Sequence, residues 1–261
     1  MDLSNYQSKL DLTKGTYDFC IIKATEGIGF TDKSFSKFAV QLTKLGKLIG
    51  CYHYARPDLH GTVQSMREEA SFFCGTIKGA GLYSRTIAVL DWETEPLDRP
   101  DLIEAWTTRV EAELHTIPFI YGSKSKLGKW KNYEVVKKHP IWMAAWPNTK
   151  RYEVGKDPGL SLPTSPIPYQ IWQYSSTGSY PGFSGNVDLD YCSLTATDWK
   201  QWTGEERKVD VDKDLSEDMR WAIDIGLFKG YGDGTYGPQD PLTREQAAAL
   251  FRRYTEIFLN K

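Results

Sequence analysis

Residues 85–93 read RTIAVLDWE. The run is apolar and rich in β-branched residues, and it closes on two acids, as a strand does when it leaves a packed interior for a polar edge. Similar runs surround it: YDFCIIKA (17–24), KLIGCYHY (47–54), IPFIYG (117–122), PIWMAAW (140–146), PYQIWQY (168–174) and VDLDYC (187–192). The opening MDLSNYQ supplies one more short strand. Between the early runs the apolar period changes to that of helices. SFSKFAVQLTKLG (34–46) puts Phe35, Phe38, Ala39, Leu42 and Leu45 on one face, and Gly46 ends it. VQSMREEASFFCGTI (63–77) and DLIEAWTTRVEAELHT (101–116) follow the same rule. Strands alternating with helices imply parallel βα units, and seven or eight of them imply a closed barrel. The competing arrangement, an open doubly wound sheet, finds no Gly-rich phosphate loop after the early strands. Beyond residue 122 the helical patterns fade and connections such as DPGLSLPTSPIP (157–168) take over. The expectation is an α/β protein: an irregular TIM-like (β/α) barrel over residues 1–195, with helices missing from its second half.

The chain has 261 residues, 32 Lys+Arg and 34 Asp+Glu, for a formal net charge of −2. So even a balance offers no general field for a polyanion, which sets nucleic acid aside as a partner. No window approaches the length and apolarity of a membrane span. The N-terminal MDLSNYQSKLDL lacks a basic stretch followed by an apolar run, so no cleavable signal is expected. Cys20, Cys51, Cys74 and Cys192 are far apart and fit neither a zinc site nor a small disulfide scaffold; they read as buried thiols. His53, His60, His115 and His139 have no ligand spacing. DVDKDLSEDMRW (210–221) begins like a calcium loop but lacks its Gly and its closing Glu. No metal or organic cofactor is implied. Aromatic residues make up 13%, with 9 Trp and 15 Tyr, more flat amphipathic surface than a core requires and of a kind that sugars use.

Chemistry concentrates at the end of the first run. Strand side chains alternate, so Asp91 and Glu93 share one orientation while Leu90 and Trp92 take the other, under the outer helices. In a barrel the acids then face the C-terminal mouth, where such folds keep their active sites. Carboxylates at this spacing disfavour each other's ionisation, so one holds its proton to higher pH, as glycoside hydrolysis needs. A lone Asp-x-Glu is also what a solvated strand end looks like. Asp2 in the first strand and Asp188 in the last add weight, because first and last strands adjoin in a closed barrel. Asp190 has the same parity as Asp188 and competes with it. Tyr52, Tyr54, Tyr121, Trp142 and Trp172 lie on strands at the same mouth and offer faces for sugar rings.

The succession DLSNYQ, IIKATEG, GCYHYARP, VLDWE, IPFIYGS, IWMAAW and YQIWQYSSTGSYPGFSGNVDLDYC resembles glycoside hydrolase family 25, the lysozymes (N-acetylmuramidases) of bacteria, fungi and phages. The resemblance spans about residues 1–195. It implies an irregular barrel, retaining cleavage of the β-1,4 bond after N-acetylmuramic acid in peptidoglycan, Glu93 as catalytic acid, Asp91 as its partner and Asp2 and Asp188 as supporting acids. It also implies that Lys23, Tyr52, Tyr121 and Trp142 line the sugar cleft. The alternatives are a non-catalytic wall-binding barrel and a chitinase-type glycosidase, whose longer acidic motif TIAVLDWE matches only at its end.

After TATDWKQWTGEERKVD, read as a linker over 196–209, residues 210–261 form a small helix–loop–helix unit in which Thr243 and Gln246 make a capping box. WAIDIGLFKGYGDGTYGPQDPLTREQAAALF (221–251) resembles an S-layer homology motif. That resemblance implies attachment to secondary cell-wall polysaccharide, with Lys229 and Arg244 as the cations. The family usually carries three copies in tandem and this chain one, which leaves two expectations: a homo-oligomer that completes the module from several chains, or a single copy that packs on the barrel. Without a signal, the whole fits a phage endolysin held in the host cytoplasm until holin-type release, or a trimmed secreted autolysin.

Overall fold

The computed structural model describes residues 1–204, 215–225, 227–228, 236 and 241–259. The chain divides into two compact units, Met1–Gly204 and Glu205–Lys261.

The first unit is the expected barrel. Nine strands form one sheet: β1 (Asp2–Leu3), β2 (Phe19–Glu26), β3 (Phe30–Thr31), β4 (Leu48–Tyr54), β5 (Thr86–Asp91), β6 (Phe119–Ser123), β7 (Ile141–Ala144), β8 (Ile171–Tyr180) and β9 (Phe183–Cys192). The order is β1-β9-β8-β7-β6-β5-β4-β2-β3, and a β1–β2 pairing closes eight of them into a cylinder, leaving β3 as a hairpin partner of β2. Three long helices, α1 (Phe35–Lys44), α2 (Val63–Gly79) and α3 (Pro100–Leu114), cover the first half. Two short ones, α4 (Lys124–Trp130) and α5 (Glu134–Lys138), follow β6, and none joins β7 to β8.

Every residue of β5 is buried because both faces of the strand are covered. Ile87 and Val89 point into the barrel with Ile21, Phe119 and Trp142, while Leu90 packs outward with Trp92 and Trp106 in the layer beneath the helices. Gly50 makes the interior narrow enough to fill: a Cβ there would stand 2.8 Å from Ile21 Cγ1.

Two expectations are corrected. The cylinder is not wholly parallel, since β9 runs antiparallel to both β8 and β1. The residues Pro181-Gly182 turn the chain, with Gly182 at φ 76°, where a residue without Cβ is unstrained. In addition, residues 196–204 are no linker. Ala196–Gln201 is α6, capped by Thr195. It buries Trp199 against Phe19, with ring centroids 5.2 Å apart, while Trp202 meets Phe119 edge-on at 5.7 Å. The stretch lacks helical periodicity because two aromatics, not a stripe, close the bottom of the barrel. All four cysteines are free thiols; Cys20, Cys51 and Cys74 are buried and Cys192 half-buried.

In the second unit, α7 (Glu217–Asp224) starts at Ser216, whose side chain accepts from Met219 N. α8 (Arg244–Tyr254) starts with the expected box: Gln246 N donates to Thr243 Oγ1 at 3.1 Å and Thr243 N to Gln246 Oε1 at 2.8 Å. Among the described residues no helix is long and apolar enough to cross a membrane.

Candidate active site

A cleft of about 720 Å³ opens at the C-terminal mouth of the barrel. Asp2, Asp91, Glu93 and Asp188 all line it, together with Lys23, Tyr52, Tyr54, Tyr121 and Trp142. Asp91 is the last residue of β5 and stands in register with Tyr54 on one side and Tyr121 on the other. Asp2 sits directly opposite Asp188. The direction of β9 makes this meeting possible. On a parallel strand a residue preceding the apolar run would lie toward the closed end; on a descending strand it lies toward the mouth.

Glu93 lies past the strand end, exposed, on a segment fixed from below. Trp92 Nε1 donates to Pro96 O at 3.1 Å and Trp130 Nε1 to Leu97 O at 2.7 Å. Lys126 Nζ donates to Glu93 O at 3.1 Å. Two buried indoles and one lysine thus hold the backbone and leave the Glu93 carboxyl toward the cleft.

Burial sets the electrostatics. It pushes the Asp91 carboxyl well above the usual carboxylate range, and the Glu93 charge adds to the push, while Lys23 and Lys126 oppose it. Asp91 Oδ1 is buried and has no hydrogen-bond partner among the described residues. Burial likewise raises Asp2, helped by Asp188 and Asp190, and carries Asp188 to about 7, helped by Asp190. Burial also lifts the phenols of Tyr52 and Tyr121, and Tyr121 Oη donates to Gln173 Oε1 at 3.1 Å.

Asp190 does not compete for the cleft. It is sealed beneath it, 3.3 Å from the Met1 amino group, and accepts from Trp142 Nε1 at 2.9 Å, which holds that ring at the wall of the cleft. Lys23 Nζ lies 2.6 Å from Glu26 Oε2 and 4.8 Å from the centre of the Tyr54 ring. Glu26 in turn receives Arg56 at 2.8 Å, so the rim is a paired cluster rather than a free cation.

Trp172 is the correction. It does not line the cleft but packs in the outer layer, with its Nε1 donating to Ala145 O at 2.7 Å. Trp142 pairs with Ile171, so Ile171 and Gln173 share the inward face and Trp172 takes the other. Gln173 is a cleft residue that the sequence reading passed over, as are Glu26, Asp32, Arg56 and Thr94. The signal of Gln173 was present: a polar side chain of cleft parity inside an apolar strand. Lys229 lies outside the described residues, and Arg244 is exposed at the first turn of α8.

Paired carboxyls at the C-terminal mouth of a closed α/β barrel, one exposed and one desolvated among aromatic walls, define a glycosidase-type site. The chain belongs to glycosyl hydrolases family 25, whose profile matches residues 1–183, and residues 210–248 match the S-layer homology domain. It is 30% identical over 210 residues to lysozyme M1 of Streptomyces globisporus, covering 72% of this chain and 65% of that protein. It is 29% identical over 176 residues to the autolytic lysozyme of Clostridium acetobutylicum, covering 65% of this chain and 47% of that one. The chain thus matches less than two-thirds of the length of either relative. Among solved structures, the bacterial lysozyme from Streptomyces coelicolor superposes with a TM-score of 0.61 at 26% identity, covering 78% of this chain and 96% of that one.

Proposed function

We propose that the protein is a peptidoglycan hydrolase that cleaves the β-1,4 bond between N-acetylmuramic acid and N-acetylglucosamine with retention, and that its C-terminal unit holds it on the bacterial cell wall. The observation that carries this reading is the convergence of Asp2, Asp91, Glu93 and Asp188 in one cleft. Glu93, the exposed acid, gives its proton to the glycosidic oxygen as the bond to the anomeric carbon breaks. Asp91, ionised at that moment, stabilises the positive charge that develops on the sugar, and water then adds to the anomeric carbon from the face that the leaving group occupied, giving a proton back to Glu93. Burial and the Glu93 charge favour a proton on Asp91, and Lys23 and Lys126 oppose it and favour the ionised form that the stabilising role needs. Asp2 and Asp188 hold the acetamido group. Tyr52, Tyr121 and Trp142 pack against sugar faces, and Lys23 braces the rim.

In the second unit, Arg244 serves a carboxylate of the wall polymer, for which its planar fork is suited, and Lys229 is proposed as a second cation. A cation at a helix N-terminus opposes the helix dipole, so its position favours a role in binding over one in stability. α8 buries none of its residues, and Phe251 is 70% exposed, which supports assembly of the unit with copies of itself. A monomeric mass of the full chain in solution contradicts that assembly.

The test is the product of digestion of purified peptidoglycan. New reducing ends on N-acetylmuramic acid are expected. Reducing ends on N-acetylglucosamine would assign a glucosaminidase instead, and no reducing ends at all would leave a wall-binding barrel.

A further inference from the structure

Gln173 is buried at the cleft and ties three elements together. Its Oε1 accepts from Tyr121 Oη at 3.1 Å and from Trp146 Nε1 at 3.2 Å, and its Nε2 donates to Asp2 Oδ2 at 2.8 Å. An indole nitrogen can only donate. The amide oxygen must therefore face Trp146, and the amide NH₂ must face Asp2. Asp2 Oδ2 is then an acceptor, because a proton on that oxygen would meet an N–H.

The surroundings reinforce this arrangement. Ala145 N donates to Gln173 O at 3.1 Å, and Trp172 holds Ala145 from the outer side, so the segment leading into Trp146 is fixed to β8 at the cleft mouth. The Trp146 ring remains 56% exposed there. Asp2 itself faces Asp188 and Asp190 from β9, Tyr52 from β4, Tyr121 from β6, Cys20 from β2 and the Met1 amino group. Burial and the two aspartates drive a proton onto Asp2, and the Gln173 hydrogen bond opposes them.

We propose that Gln173, its amide oriented by Trp146 and Tyr121, is a positioning residue that keeps Asp2 Oδ2 an unprotonated acceptor in the cleft. The inference deepens the proposed hydrolase reading and rests on it for its catalytic consequence. In that reading Asp2 receives the N–H of the substrate's acetamido group, and loss of its proton frees the second carboxyl oxygen to accept there while Oδ2 accepts from Gln173. Trp146 is the outer end of the relay: its N–H is spent on Gln173, and its exposed ring lies beside the mouth.

The experiment follows the Asp2 carboxyl by its ¹³C chemical shift across pH in the full chain, with the signal assigned by its loss in Asp2→Asn. Gln173→Leu is expected to move the Asp2 midpoint up by about one pH unit, the loss of one charge-assisted hydrogen bond. Trp146→Phe combined with Tyr121→Phe keeps both rings and removes both donors to Oε1, and is expected to shift the midpoint in the same direction. In both variants the low-pH limb of kcat/KM for peptidoglycan moves up with it. An Asp2 midpoint that stays put or falls in these variants overturns the inference, whatever the activity. If Gln173→Leu does not fold, the double phenylalanine variant decides alone. A wild-type protein that releases no reducing ends overturns the hydrolase reading, and the titration still decides whether Gln173 governs Asp2.

Discussion

Asp2 and Asp188 stand directly opposite each other across the antiparallel β1–β9 pair. Like charges at such a position oppose the fold, and here Asp2 is buried and Asp188 half-buried at the cleft. The strain sits where β9 descends and β1 closes the cylinder, so the seam of the barrel and the acid cluster are one feature.

This arrangement makes stability depend on pH. Asp2, Asp91 and Asp188 each hold a proton more tightly folded than unfolded. Their contribution to stability is present below the usual carboxylate range and is lost as pH rises through the folded values, about 7 for Asp188. Asp188→Asn is therefore expected to melt at least about 3 °C above wild type near pH 8, with the gap closing toward about pH 5. Thermal unfolding at the two pH values checks this; a variant less stable at pH 8 contradicts it.

A second buried chain lies in the layer between barrel and helices. His53 Nδ1 is 2.8 Å from Thr25 Oγ1, and its Nε2 is 2.7 Å from Glu69 Oε2, with the ring stacked on Trp106. Burial depresses the imidazole's affinity for a proton despite Glu69. The unfolded chain therefore takes up a proton below about pH 6.5 that the fold refuses, and this contribution to stability falls with pH. His53→Leu is expected to cost about 3 kcal/mol or more near neutrality, because the buried Glu69 keeps only the Arg56 N–H, at 3.2 Å, as a partner. Denaturant titrations should show that penalty shrinking toward about pH 5.5.

The plug at the closed end predicts a large packing effect. Trp199→Ala should cost about 3–5 kcal/mol, as deletion of a buried large aromatic does, although residue 199 lies in a stretch that reads as a linker. Equilibrium unfolding with a loss under about 1 kcal/mol would return α6 to the status of a connection.

The sequence was legible where signals are local. Alternation along RTIAVLDWE put Asp91 and Glu93 on one side and Leu90 and Trp92 on the other, and the structure agrees. The three long helices and the Thr243–Gln246 box were likewise local patterns. What escaped depends on distant partners. Trp142 and Trp172 look equivalent on their own strands, but the Trp142–Ile171 register assigns them opposite faces. The direction of β9 is set by a two-residue turn and by its pairing with β1, and α6 by the aromatic floor it closes. Gln173 was hidden for the same reason, since its worth lies in Asp2, Tyr121 and Trp146, all remote in sequence.

For the wall-anchoring reading, Arg244→Ala is expected to weaken cosedimentation with walls that carry the secondary polymer by about tenfold, the worth of one charge-assisted contact, while digestion of soluble peptidoglycan fragments is unchanged. Equal loss of both activities would argue against a separate binding role.

The most direct measurement is turnover by Glu93→Gln on purified peptidoglycan beside its melting temperature. Glu93 is exposed and the segment carrying it is held by Trp92, Trp130 and Lys126, so the fold should be unaffected. The expected result is release of reducing ends reduced by about a hundredfold or more at an unchanged melting temperature. Wild-type turnover in that variant would contradict the assignment of Glu93 as the acid.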